Sequence, residues 1–220
     1  MYYGERWRVK MSASNYDLQV DMAKGIFLQY DQQLLIRKFG LEANEKSIYL
    51  HYLNTPYRIG RKDGTVEEYV QNRWKECRSY ATVMTIYDLL CHHQGTQAPA
   101  LSDQWCAVGT FVVTGITDTE TFTKKYAKIF DGQGEKLKVA CESLGGIMQP
   151  SVAGANMTCR FSVTPFFPVL LQFWEGDEEF PPKLMLLWDR NTDRFLHFET
   201  TFYLQGDLLE RLKGRMEEAL

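Results

Sequence analysis

Apolar positions recur along the chain with two periods, and each predicts a different element. At helical spacing, Ala23, Ile26, Phe27 and Tyr30 line one face of a first helix, with Asn15 as its cap. Asp31 caps a shorter helix through Leu34, Leu35 and Phe39, and Gly40 is its natural stop. Ser79 caps a helix from Tyr80 to His93, with Val83, Ile86, Leu89 and Leu90 as its apolar stripe. Asp118 opens another, marked by Phe122, Tyr126, Ile129 and Phe130. Leu137, Ala140, Cys141 and Leu144 align on a helix from Gly134 to Leu144, ended by Gly145-Gly146. A last helix starts at Gly206-Asp207 and carries Leu208, Leu209, Leu212 and Met216.

The second period is that of strands. Ile48, Leu50 and Tyr52 alternate with Tyr49, His51 and Leu53. Tyr57 to Arg61 and Val66 to Val70 follow, joined through Asp63-Gly64, a hairpin signal. Residues 47–70 thus read as a three-stranded antiparallel meander. Trp105 to Val113 reads as a strand or irregular core. Met157, Cys159, Phe161 and Val163 alternate with polar neighbours. Val169 to Trp174 and Leu184 to Trp188 are apolar at nearly every position, as strands covered on both faces are. Glu175 to Lys183 lies between them and is longer than the hairpin norm of about two to five residues. Asp189 to Arg194 would close a final hairpin onto a strand 194–199.

Composition narrows the classes. The chain has 220 residues, 45% hydrophobic and 14% aromatic, enough for a sizeable core. A net charge of -3 gives no electrostatic reason to expect nucleic acid. No apolar run is long enough to span a membrane, and the N-terminus MYYGERWRVKM has no signal-peptide core. Cys77, Cys91, Cys106, Cys141 and Cys159 are scattered without a C-x-x-C pair, which predicts free thiols in a cytoplasmic protein.

The candidate chemistry gathers in the last third. In the final hairpin, pairing Trp188 with Phe195 puts His197 and Glu199 on one apolar face, beside Leu184 and Leu186. Such a pair is either a catalytic acid–base or metal-ligand pair, or a structural hydrogen bond. Glu175, Asp177, Glu178 and Glu179 sit beside Trp174 and Phe180, and make either a cation-binding knot or a solvated loop. Trp174, Asp177, Glu178, Asp189, His197 and Glu199 would then converge on one pocket, with His197 and Glu199 as its catalytic candidates. Asp189 to Asp193 has the D-x-N-x-D start of a calcium loop, but Arg194 and Thr200 stand where glycine and glutamate are needed. Asp88, Cys91 and His92 share one side of a helix in a way that suits zinc, but fall short of the four ligands of a structural site. No metal or cofactor is assigned on these grounds.

Pro165 and Pro168, the block Phe173-Trp174-Glu175-Gly176-Asp177-Glu178-Glu179-Phe180, Leu187-Trp188-Asp189 and Phe198-Glu199 resemble a bacterial and archaeal family that carries a domain-of-unknown-function label. Tyr57-Arg58, Tyr87-Asp88-Leu89-Leu90 and Leu144-Gly145-Gly146 extend the resemblance over most of the chain. Some members are joined to a cysteine-rich segment thought to bind an iron–sulfur cluster, mostly in anaerobes. The resemblance implies a redox-related setting and transfers no catalytic residue; this chain has no closely spaced cysteine set.

The expected fold is α+β: antiparallel meanders over 47–70 and 157–200 covered by helices, with the C-terminal helix on the second meander. Residues 1–220 are expected to form a single domain; a division at the loop Gly95 to Asp103 would give lobes 1–95 and 104–220. Two functions follow. One is binding of a small molecule or metal ion at the acidic, aromatic pocket. The other is an accessory role, docked on a redox or iron–sulfur partner.

Overall fold

The computed structural model describes residues 15–110 and 119–218. It is an α+β fold, with six helices and two five-stranded antiparallel sheets among the described residues.

The N-terminal half opens with α1 (Asn15–Gln29) and α2 (Gln32–Phe39). The Asp31 carboxylate accepts from the Gln33 and Leu34 amides, and Gly40, at φ 62°, ends the helix in the left-handed conformation. The first sheet is a continuous meander in the order β1 (Glu42–Ala43), β2 (Ser47–Tyr52), β3 (Thr55–Gly60), β4 (Val66–Val70) and β5 (Arg73–Glu76). It has two more strands than alternation indicated. Tight turns at Leu53-Asn54 and Gln71-Asn72 take positive φ without glycine. The second carries the chain into β5, with no Asn-Gly step to announce it. Then α3 (Tyr80–Cys91) begins with the Ser79 hydroxyl accepting from the Thr82 amide.

The second sheet runs β6-β10-β9-β8-β7: β6 (Trp105–Ala107), β7 (Gly146–Gln149), β8 (Met157–Thr164), β9 (Phe167–Trp174) and β10 (Lys183–Asp189). The central strand β9 is buried at every position but Trp174, as its unbroken apolar run requires. α4 (Thr119–Phe130) and α5 (Gly134–Ser143) come between β6 and β7 in sequence. Asp118, the expected opener of α4, and residues 111–113 lie outside the described residues. The sheets meet at the β2–β3 turn, where the Leu53 amide donates to the Val163 carbonyl at 2.9 Å. One apolar cluster runs through both sheets and all six helices, and includes Phe27, Leu35, Ile48, Ile86, Phe130, Leu137, Phe173 and Leu208. No described helix is long and apolar enough to cross a membrane.

The final hairpin does not form. The free side of β10 is taken by β6, with Trp188 opposite Cys106 and Asp189 opposite Trp105. After Asp189 the chain makes a short 3₁₀ turn, Thr192–Arg194, and enters α6 (Phe198–Glu218). Its buried stripe of Thr201, Leu204, Leu208, Leu212 and Met216 has helical spacing from the first turn onward. Gly206, taken as the start, is interior: a β-carbon there would stand 3.4 Å from the Phe122 ring. The helix starts eight residues earlier, so 194–199 is a turn and a helix start, and Trp188 does not pair with Phe195.

Candidate metal centre

The start of α6 meets the end of α3, and the contact is made of chemistry-bearing side chains. His197 is the residue before α6, and Asp88 on α3 supplies that helix with its cap. Asp88 Oδ2 accepts from the His197 amide at 2.7 Å and from Thr200 Oγ1 at 2.5 Å. A carboxylate is favoured there because the amides and dipole of a helix start attract negative charge. Asp88 Oδ1 is left for other work. It accepts from His197 Nδ1 at 2.6 Å and lies 3.9 Å from His92 Nδ1, while the two Nδ1 atoms are 3.2 Å apart. His92, one helical turn after Asp88, caps the end of α3.

The His92 ring is held by its other nitrogen. Nε2 lies 2.9 Å from the Asp193 carbonyl oxygen, which can only accept, so Nε2 carries the proton. With Nε2 carrying the proton, Nδ1 is the nitrogen that can offer a lone pair towards His197 and Asp88. A ligating histidine held through its second N–H by a backbone carbonyl is the recurrent support of metal sites. Three donor atoms thus converge: Asp88 Oδ1, His92 Nδ1 and His197 Nδ1. Their separations of 2.6, 3.2 and 3.9 Å put a common centre about 2.0 Å from each, the length of a zinc–nitrogen or zinc–carboxylate bond. Without a cation, one proton on His197 Nδ1 serves the other two acceptors. Asp88 is nearly buried, whereas the His197 side chain is 64% exposed, so the centre opens outward.

It opens into a cleft of about 530 Å³ between α1, α3 and the first turns of α6. Met22, Ala23, Ile26, Met84 and Tyr203 form part of its wall, and Asp88, His92, His197 and Glu199 line it as well.

Of the residues expected at one pocket, the structure brings His197 and Glu199 to this cleft and leaves the others elsewhere. Glu199 is exposed and, among the described residues, makes no hydrogen bond to His197; the two no longer share a strand face. Asp189 is 1% exposed and accepts from the Ser102 amide and hydroxyl and the Asp103 and Asn191 amides, so its oxygens are committed to folding the loop. Trp174, Asp177 and Glu178 lie at the other end of β10, roughly 20 Å from Asp189 at the strand rise. Asp177 accepts from the Glu179 and Phe180 amides, and those bonds hold its carboxyl below the usual range. Gly176 is required in that loop: a β-carbon there would stand 2.8 Å from Pro182. The nearby hollow of about 450 Å³ is lined by Glu175 but by none of Trp174, Asp177 and Glu178.

Cys91, grouped with Asp88 and His92 by spacing, does not join the trio. Its thiol is buried and pushed up to about 12 by that burial. His197 takes its place from 105 residues away. The spacing Asp-x-x-x-His on one helix was the readable signal; the third converging side chain, His197, lay behind a helix start read as a strand.

A family model matches residues 31–211, which include all three converging side chains. The chain belongs to the family described as Domain of unknown function (DUF3786). Helix α1 of this DUF3786 protein, the outer wall of the cleft, precedes the matched segment. No curated protein and no solved structure matches the chain.

Proposed function

We propose that this DUF3786 protein binds a divalent transition-metal ion through Asp88, His92 and His197, and through that ion a small molecule in the adjoining cleft. The observation that carries the proposal is the triangle of donors about 2.0 Å from a common centre, with the His92 lone pair aimed into it by the Asp193 carbonyl. Two imidazoles and one carboxylate favour zinc or iron(II) over magnesium or calcium, which take oxygen donors. Three protein ligands leave a coordination position for water or a substrate oxygen, as catalytic sites do and closed structural sites do not. The five free thiols support a reducing, cytoplasmic setting, and the bacterial or archaeal, anaerobic origin implied by the resemblance belongs to the same proposal.

The test is calorimetric titration of metal-free protein with Zn²⁺, alongside His197→Ala. Wild type should bind one ion, and the variant about 100-fold more weakly, taking roughly 3 kcal/mol as one ligand's share of the ~10–16 kcal/mol of a four-ligand zinc site. Equal affinity in the two proteins, or no binding in wild type, overturns the proposal.

A docked accessory role is a second reading, favoured by Leu18, Met22 and Ile26, a stripe at i, i+4, i+8 on α1 that is exposed. It predicts that Met22→Glu with Leu18→Glu abolishes association with an iron–sulfur partner, measured against a ferredoxin by light scattering. No association in wild type removes it.

A further inference from the structure

Resting on the metal reading, we infer that the ligand of this site is an elongated small molecule with an oxygen-chelating head on the ion and an apolar body lying along α3 towards Tyr80. The cleft and the donor trio form one continuous space, since Asp88, His92 and His197 line the same cavity as Met22, Ala23, Ile26 and Met84. Its volume of about 530 Å³ lies within the ~300–1,000 Å³ of small-molecule sites. Its composition has the arrangement such sites share, with a mainly apolar wall and a few polar groups at defined places.

The polar groups sit at the two ends. At one end are the donors and Glu199. At the other are Tyr80, Tyr203 and Gln19, where the Tyr80 hydroxyl donates to Gln19 Oε1 and lies 3.4 Å from the Tyr203 hydroxyl. Asp88 and Tyr80 are eight residues apart on one helix, a span of about 12 Å at the helical rise. Between them the lining includes Met22, Ala23, Ile26, Met84 and Tyr87, with Met22 69% and Ile26 53% exposed. Methionine is unbranched and adapts to varied apolar shapes, which suits a chain or ring rather than one rigid outline. The head has to be anionic or chelating: the exposed approach to the centre is beside His197, and an ion bound to one carboxylate and two neutral imidazoles keeps a net positive charge. The body is recognised by α1, so selectivity for it resides in a helix outside the family match.

The test uses the full chain loaded with Co²⁺ and two hydroxamates that share a head and differ in body, acetohydroxamate and octanohydroxamate. The cobalt absorption bands report the head reaching the ion. Both probes should shift the bands, with octanohydroxamate at least tenfold tighter. Ile26→Asp, at an exposed position, and Ala23→Trp, which narrows the cleft, should each shrink that gap below threefold, with acetohydroxamate still shifting the bands. If Co²⁺ binds but the probes have equal affinity, or octanohydroxamate binds without shifting the bands, the ligand inference falls and the metal site stands. If Co²⁺ does not bind, both fall together.

Discussion

Helices α3 and α6 are joined by two charged constellations, and they differ in whether they are complete. The inner one is closed. Arg211 donates from Nε to Asp207 Oδ1 at 3.0 Å and from Nη2 to the Tyr57 hydroxyl at 2.9 Å, and Thr82 Oγ1 donates to Asp207 Oδ2 at 2.9 Å. The guanidinium also lies over the Tyr52 ring at 5.5 Å. Each charge meets its opposite inside the protein, and burial raises the Tyr57 hydroxyl so that it stays a neutral partner. The outer constellation is open. A carboxylate oxygen and two imidazole nitrogens converge with no lysine or arginine among them, and one face leads to the cleft. The same two helices thus carry a carboxylate paired with a permanent cation, Arg211, and one, Asp88, whose only cationic partners among the described residues are histidines. The first holds the fold; the second is where the proposed metal ion would sit.

The largest effect expected from breaking this contrast is at the closed end. Asp207→Ala strands the Arg211 charge between α3, α6 and the first sheet. The Arg211 side chain is 22% exposed, so the loss should fall at the low end of a broken buried pair, about 3 kcal/mol. Urea denaturation measures it. Zinc affinity should change less than threefold, because no donor of the metal trio touches this network. A stability loss below about 1 kcal/mol would show that the closed network is not what holds the helices in place.

Much of the fold was legible because it rests on local signals. The Asp31 and Ser79 caps, the Gly40 stop and the alternation of Ile48, Leu50 and Tyr52 each name their element within a few residues. The two apolar runs became the paired strands β9 and β10 for the same reason. What failed was non-local. Nothing near Asp189 announces that β6, some 80 residues earlier, pairs with β10 and removes the edge that a following strand would need. Nor does a local rule reveal that the cap of α6 comes from Asp88 rather than from the residue beside it. Both parts of the convergence were present in the sequence, the helix-face pair Asp88 and His92, and His197, read there beside Glu199. Joining them needed the packing of α3 on α6. The acidic loop attracted notice by its charge, yet Asp177 spends its oxygen on two amides of its own turn.

Asp88 allows the sharpest and smallest test, because its two oxygens serve different ends. Oδ2 caps α6 through the His197 amide and Thr200, and Oδ1 faces the imidazoles. Asp88→Ala removes both roles. It should cost about 1–2 kcal/mol, the worth of a helix cap, together with the zinc affinity. Asp88→Asn separates them: its carbonyl oxygen can still accept from the amide and hydroxyl, while its amide nitrogen takes the place of the oxygen that faces the imidazoles. The Asn protein should therefore lie within about 0.5 kcal/mol of wild type by urea denaturation without metal. Its zinc affinity should be as low as that of the Ala protein. If Asn restores zinc binding, the carboxylate is a structural cap and the convergence at Oδ1 is a hydrogen bond alone. If Asn is as unstable as Ala while zinc binding is lost in both, the cap depends on the full negative charge at the helix start, and the division of labour between the two oxygens is wrong.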